Sequence, residues 1–155
     1  YLAIVTGLYL RRIVGWHAER SMTTNLISKA IISAANLRQL KKALFQSERG
    51  TQYTSQLFDK LLKGFGIHAS IGDVGGCWVN KVVKRFFGSV KHDWILKIAQ
   101  TTREHMKQYV TAYIKYFNQE RLHTANSNLS PLILVIEKFL ICIIKMKITI
   151  LKNSS

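Results

Sequence analysis

The chain has 155 residues, 48% of them hydrophobic and 20% charged, which is the composition of one globular domain and not of a disordered chain. Its 23 Lys and Arg residues against 8 Asp and Glu give a formal charge of +15, and so large an excess favours a polyanionic partner such as nucleic acid. Cys77 and Cys142 show no CxxC or Cys/His spacing, so the sequence predicts neither a disulfide framework nor a zinc site, and a reducing, cytoplasmic location is expected.

The first twenty residues predict a β-hairpin. Segments 1–5 and 13–16 are apolar and β-branched, and Gly7 and a basic Arg pair lie between them, as in two strands joined by a turn. The chain starts inside the first of these strands without an initiator Met and shows no signal peptide. We therefore interpret residue 1 as the edge of a truncation.

A helix and a short strand come next. Apolar residues recur at helical spacing from Thr23 to about Leu37, and Thr23 or Thr24 is placed to cap this helix. Residues 43–47 predict a strand that delivers the carboxylate of Glu48 to its C-terminal tip. Open α/β sheets hold their chemistry at such tips.

A second helix, a strand and a glycine-rich loop follow. Ser55 is placed to cap a helix that Gly64 and Gly66 end, and residues 68–71 predict a strand. The apolar face of the helix consists of Leu57, Phe58, Leu61, Leu62 and Phe65. The glycines within 72–76 lack the Lys-Ser/Thr pair of a phosphate-binding loop, so a mobile loop is the simpler interpretation.

Two more helices are predicted in the C-terminal half, over residues 80–91 and 102–117, the second capped by Thr101 or Thr102. The residues of the first that should face the core are Val82, Val83, Phe86, Phe87 and Val90.

The end of the chain differs in composition from the rest. After Pro131 it is rich in Ile and Lys, and charged residues interrupt the apolar run, which argues against a membrane-spanning helix. We expect one core domain over 1–136 and a hydrophobic, basic tail over 137–155.

Two stretches carry a resemblance to a known family. Residues 46–55 run Q-S-E-R-G-T-Q-Y-T-S, and residues 76–91 run G-C-W-V-N-K-V-V-K-R-F-F-G-S-V-K. They resemble the H-S-D-R-G-S-Q-Y and G-N-C-W-D-N-A-V-A-E-S-F-F-G-S-L-K motifs of bacterial insertion-sequence transposases of the OrfB type, which have a retroviral-integrase-like catalytic core. The Y-L-A-I-V and R-R-I-V-G-W segments of the hairpin, the Y-F-N-Q-E-R-L-H of 116–123 and the L-S-P of 129–131 resemble further motifs of that family.

The resemblance implies a ribonuclease-H-like α/β fold, with a mixed sheet flanked by helices. It also implies DNA integration by cleavage and strand transfer, with two Mg²⁺ or Mn²⁺ ions held by an Asp-Asp-Glu triad. The second Asp of the family falls on Glu48 and its Glu on Lys84, at the family's separation of 36 positions (84 − 48). The strand that carries the first Asp would precede residue 1.

These replacements predict a degenerate, catalytically inactive copy that binds no metal. Of the family's metal-binding positions, Glu48 alone keeps a carboxylate, and we expect it to be only a weak, residual metal ligand. An ammonium at position 84 would repel a divalent ion, by about 8 kcal/mol at 4 Å and an effective dielectric of 20. An ion pair between Glu48 and Lys84 is the other arrangement that we consider.

DNA contact depends on positive charge and hydrogen-bond donors, so it can persist when the metal site is lost. The residues that the motifs and the charge single out for DNA contact are Arg49, Thr51, Gln52, Trp78, Asn80, Lys81, Arg121 and His123, with Lys84 on the same helix as Lys81. For each of them, a solvated charge or a packed aromatic ring is an equally simple interpretation.

Two functions from different classes remain open. One is a transposase-derived integrase core, and the alternative is a non-catalytic DNA-binding or inhibitory remnant that competes with an intact transposase. The expected partners are DNA, a second copy of the chain or an intact transposase, and no membrane.

The missing strand leads to an expectation about the sheet. The first strand of a ribonuclease-H-like sheet is central, so the hairpin and the strand over 43–47 should show either an open slot between them or a direct pairing. Their exposed edges should associate with other chains or aggregate.

Overall fold

The computed structural model describes residues 1–37, 43–47, 55–71, 76–97 and 102–138. Its strands and helices are β1 (Leu2–Gly7), β2 (Arg12–Ala18), α1 (Thr24–Leu37), β3 (Leu44–Ser47), α2 (Gln56–Gly64), β4 (His68–Ile71), α3 (Gly76–Ser89), α4 (Arg103–Gln119) and the helical residues 131–138, α5. A π-helical turn (Val90–Trp94) and a 3₁₀ turn (Ile95–Lys97) continue from α3, and a second 3₁₀ turn (Thr124–Asn126) follows α4.

The predicted hairpin is confirmed. β1 and β2 pair antiparallel from Leu2 opposite Ala18 to Gly7 opposite Arg12, with an irregularity between Val5 and Thr6. Both strands are longer than the apolar runs because backbone pairing continues through the polar residues at their ends.

The strands β3 and β4 pair in parallel, from Leu44 opposite His68 to Ser47 opposite Ile71, and α2 connects them. Within the described residues the two pairs form two separate two-stranded sheets. Among these residues the hairpin and β3 therefore do not pair directly, and the open slot between them stays a prediction.

The hairpin lies between two layers of helices. Its side chains point alternately to opposite faces, so each face packs against one layer. Leu2 and Ile4 pack against a cluster built from β2, α3, the π-helical turn and α4: Ile13, Phe86, Val90, Val110, Tyr113, Ile114 and Phe117. Val5 packs against a second cluster, from α1, α2 and the residue before β4: Ile27, Ile31, Phe58, Leu62 and Ile67. Phe45 of β3 packs against the second cluster too, so β3 and β1 border one core.

The first helix approaches the hairpin at Gly15. A Cβ atom at this position would lie 2.3 Å from the carbonyl oxygen of Ala30 and 2.6 Å from the amide nitrogen of Ala34. The absence of a side chain at Gly15, together with small residues on α1, therefore sets the distance between helix and sheet.

The predicted helix caps are confirmed. The hydroxyl of Thr23 accepts a hydrogen bond from the amide of Leu26, that of Ser55 from Phe58, and that of Thr102 from His105.

Two glycines end α2 as predicted. The helix stops at Gly64, and Gly66 adopts a φ of 66°, the left-handed conformation that closes a helix of this kind.

Two details of the predicted helices are wrong. Leu57 is 77% exposed, because the interior side of α2 is occupied by Phe58 and Leu62. Helix α3 begins at Gly76 and not near Asn80, so Trp78 and Asn80 lie within the helix and not at its junction with a loop.

The tail over 137–155 lies largely outside the described residues, and α5 continues through residue 136 to 138. The domain boundary at 136 therefore stays a prediction. In the part of the chain that the structure describes, no helix combines the length and apolar character needed to cross a membrane.

Candidate nucleic-acid interface and the catalytic positions

The strand β3 ends at Ser47, so residue 48 directly follows a parallel strand as predicted. Glu48 itself, together with Arg49, Thr51 and Gln52, lies outside the described residues. Their roles, and the ion pair between Glu48 and Lys84, therefore stay predictions.

Helix α3 carries the other candidates from the second motif. Lys81 and Lys84 are exposed, and residues three apart lie on one side of a helix. Arg85 is exposed next to them. Trp78 and Asn80 belong to the first turns of α3, and their side chains lie outside the described part of the chain.

The metal ions implied by the family do not fit position 84. A protonated lysine has no lone pair to offer a metal, and hard divalent cations need oxygen ligands. Because Lys84 is exposed, its repulsion of a divalent ion at 4 Å falls to about 2 kcal/mol, the value in water. The loss of a metal-binding oxygen at this position therefore weakens the site more than the repulsion does. Among the described residues, no group of three His, Cys, Asp or Glu side chains is placed to hold a metal ion.

Arg121 joins three elements through its guanidinium group. Its Nη1 donates to the carboxylate of Asp93 at 2.5 Å and to the hydroxyl of Tyr113 at 3.1 Å, and its Nη2 donates to the hydroxyl of Ser89 at 3.0 Å. Arg121 thereby fixes the end of α3 and the π-helical turn against α4.

The hydrogen bonds of Arg121 also affect the pKa of Asp93. The hydrogen bond from Arg121, aided by its charge, holds the pKa of Asp93 below its usual value, although burial of the carboxyl acts the other way. Because the charge of Arg121 is matched by Asp93, a DNA contact of Arg121 would compete with an existing ion pair. That contact stays a prediction.

His123 is half-buried against the end of α4. Its ring meets the ring of Phe117 edge to face at 4.6 Å, and its Nε2 lies 3.3 Å from the carbonyl oxygen of Phe117. Burial lowers the pKa of His123, and the charges of Arg121, Arg11 and Arg85 lower it further. The charges of these three arginines therefore disfavour a protonated imidazole at this position.

Asn118 and Asn126 are structural residues that the sequence analysis did not single out. Asn118 pairs with both backbone groups of Ile13, which donates to Oδ1 at 2.9 Å and accepts from Nδ2 at 2.9 Å. The Nδ2 of Asn126 donates to the carbonyl of Leu10 at 3.0 Å. Asn118 lies within the Y-F-N-Q-E-R-L-H motif and Asn126 between that motif and L-S-P, but neither the motifs nor periodicity carry a signal for pairing over so long a separation.

The layered fold and the two motif-bearing elements define the class of protein. Two family models, both described as "Integrase core domain", match residues 1–77 and 65–131. Together they span residues 1–131, and the chain belongs to the integrase core domain family.

Relatives of known name narrow the class to insertion-sequence transposases. The transposase InsF for insertion sequence IS3A of Escherichia coli (strain K12) is 32% identical over 133 residues, covering 84% of this chain and 46% of the relative. A protein of insertion sequence element IS986/IS6110 of Mycobacterium tuberculosis (strain ATCC 25177 / H37Ra) is 32% identical over 139 residues, covering 84% of this chain and 50% of the relative. The chain spans about half the length of these relatives.

Solved structures support the fold. The HTLV-2 integrase catalytic core domain, solved in complex with magnesium in a dimeric form, superimposes with a TM-score of 0.57 at 16% identity, covering 76% of this chain and 72% of that one. The ribonuclease-H-like integrase core expected from the motifs is therefore confirmed, and the chain is a transposase-type integrase core.

Proposed function

We propose that this chain binds DNA through its basic surface but does not catalyse strand transfer. The observation that carries the proposal is Lys84, an exposed ammonium on α3 at the position where the family has a metal-binding carboxylate. The ancestral function is DNA integration by an insertion-sequence transposase.

The loss of catalysis follows from the chemistry of the ligands. Two-metal strand transfer needs carboxylates that bridge or flank both ions, and metal positions tolerate errors of only about 0.5 Å. Lys84 supplies no ligand, and Glu48, if it still binds a cation, is one methylene longer than the family's Asp.

A strand-transfer assay tests this part of the proposal. The chain is incubated with labelled insertion-sequence ends and Mn²⁺, and the intact relative serves as the positive control. We expect no joined product above background, and also none from the variant Glu48→Asp/Lys84→Glu, because residues 1–155 do not include the first Asp of the triad. Joined product from the unmodified chain would refute the proposal.

DNA binding follows from charge, since a formal +15 on 155 residues favours a polyanion. We expect sequence-tolerant binding to a labelled duplex that weakens steeply with salt, as counterion release requires. Tight binding with a shallow salt dependence would contradict this mechanism. Adding the chain to the intact relative before the DNA tests for inhibition, which competition for DNA predicts.

A further inference from the structure

The π-helical turn at the end of α3 carries an acidic residue beside basic ones. Asp93 is exposed in this turn, and so are Lys91 and His92 directly before it. The guanidinium of Arg121, from the segment just after α4, donates a hydrogen bond to the same carboxylate. Asp93 therefore places a negative charge among three basic side chains, in a type of turn that often occurs at functional sites.

Asp93 is the most exposed of the groups that Arg121 binds. The side chain of Asp93 is 47% exposed and that of Arg121 is 28% exposed, whereas Ser89 is half-buried and Tyr113 is buried. The two hydroxyl groups therefore hold the guanidinium from within the fold, and the carboxylate reaches it from the surface.

The chemistry of the guanidinium allows a phosphate to take the place of this carboxylate. Both anions accept charge-assisted hydrogen bonds from arginine, and arginine often binds phosphate through two N–H groups at once. The bonds from Arg121 to Asp93, Tyr113 and Ser89 use three of its five N–H groups, two on Nη1 and one on Nη2. A phosphate in the position of the carboxylate would bond to Nη1 and to the second N–H of Nη2.

We propose that Asp93 is an autoinhibitory group, which occupies the guanidinium of Arg121 in the place of a backbone phosphate of DNA and so keeps the affinity for DNA low. The inference rests on the proposed DNA binding and adds an internal control to it. While the ion pair is intact, a phosphate gains one charged partner only by breaking another. Removing the charge of Asp93 should therefore make Arg121 available to DNA.

A double-mutant cycle tests this coupling. The four proteins are the unmodified chain, Asp93→Asn, Arg121→Gln and the double variant, and asparagine keeps an oxygen that accepts the hydrogen bond from Arg121. Fluorescence anisotropy with a labelled duplex gives the affinity and the slope of log K against log salt. We expect tighter binding and a slope steeper by about 0.9 for Asp93→Asn, because one more phosphate is bound. The same replacement should bring no such gain when residue 121 is Gln.

The variant Asp59→Asn is the matched control for net charge. Asp59 is also exposed and paired with a basic side chain, since its carboxylate lies 2.7 Å from the ammonium of Lys63 on α2. We expect a clearly smaller change in slope from this control. An equal change in both Asn variants, or an undiminished gain in the double variant, would refute autoinhibition while DNA binding stands. If neither the unmodified chain nor Asp93→Asn binds the duplex at low salt, the proposed function fails and this inference fails with it.

A second measurement needs no variant, in case the replacement of Asp93 disturbs the turn. Phenylglyoxal modifies accessible arginines, and mass spectrometry reads the extent of modification at each site. We expect Arg121 to be modified to the same extent with and without bound DNA, because Asp93 holds its guanidinium in both states. Protection of Arg121 by DNA in the unmodified chain would show that the ion pair does not block the contact, and would overturn the inference.

Discussion

Single residues decide how closely the layers of this fold approach. At Gly15, a methyl group would meet backbone atoms of α1 at 2.3 and 2.6 Å, and backbone cannot rotate away as a side chain can. Gly88 is the opposite case, because nothing lies within 4 Å of a Cβ built there, near the end of α3 where the helical chain continues into the π-helical turn.

The variant Gly15→Ala should therefore lose stability, by about 3 kcal/mol or more, since overpacking typically costs about 1 to 3 kcal/mol and here the obstacle is backbone. Gly88→Ala should gain about 0.5 to 1 kcal/mol, because alanine is the better helix former. Urea denaturation of both variants measures the difference. A Gly15→Ala protein as stable as the unmodified chain would show that α1 does not pack on β2 as described.

His123 predicts a pH dependence. Its folded-state pKa is lowered from 6.5, so below that value the unfolded chain binds the proton more readily. Stability is then fully present above the ordinary histidine pKa and is lost as the pH falls toward the lowered one.

We expect the free energy of unfolding to fall between pH 7.5 and pH 5.5, and to fall less in His123→Gln. The variant His105→Gln is the control, because His105 is exposed on α4. An unchanged pH dependence in His123→Gln would mean that another group is responsible for the loss.

Among the elements, α4 hydrogen-bonds to the edge of β2 that does not pair with β1. Asn118 takes the place of a neighbouring strand at Ile13, where its amide pairs with the backbone N–H and C=O. A side-chain amide has one donor side and one acceptor side, which matches a single residue of a strand edge.

Replacing Asn118 with Ala should cost about 2 to 6 kcal/mol, because two part-buried backbone groups lose their partner, at about 1 to 3 kcal/mol each. Gln119→Ala is the matched control, one position further along α4 and exposed. Thermal unfolding of the two variants gives the comparison. Equal melting temperatures would argue against the pairing.

The elements that the sequence predicted well are those specified by local signals. Thr23, Ser55 and Thr102 are capping residues directly before periodic apolar runs, and each caps its helix. The start of α3 was missed because its first residues continue a glycine-rich segment, and glycine normally disfavours a helix.

The candidate site was predicted less completely than the fold. Motif spacing identified positions 48 and 84, but it carries no information on which side chains surround them. The partners of Arg121 and the arginines around His123 come from three separate segments, and only the folded chain brings them together.

At the scale of the whole molecule, two small sheets share a core without pairing in the described residues. Val5 of β1 and Phe45 of β3 pack against the same apolar cluster. Within the described ranges, each sheet therefore has a strand edge that pairs with no other described strand, and such edges can pair with another chain.

We predict that a purified polypeptide of residues 1–155 unfolds without a single cooperative transition and associates through these edges. Unsatisfied interior amides cost about 1 to 3 kcal/mol each, a large part of a total stability of about 5 to 15 kcal/mol. Size-exclusion chromatography with light scattering and a urea titration followed by two probes test this. A monomer with coincident, sharp transitions would refute it.

The pairing of Asn118 with Ile13 also sets an order of events during synthesis. The two residues are 105 positions apart, and at about 5 to 20 residues per second a ribosome needs about 5 to 20 s to add the intervening chain. During that interval the hairpin can pack on α1 through Gly15, but its outer edge has no amide to bind. A nascent chain arrested before residue 118 should therefore bind holdase chaperones more strongly than the released protein does.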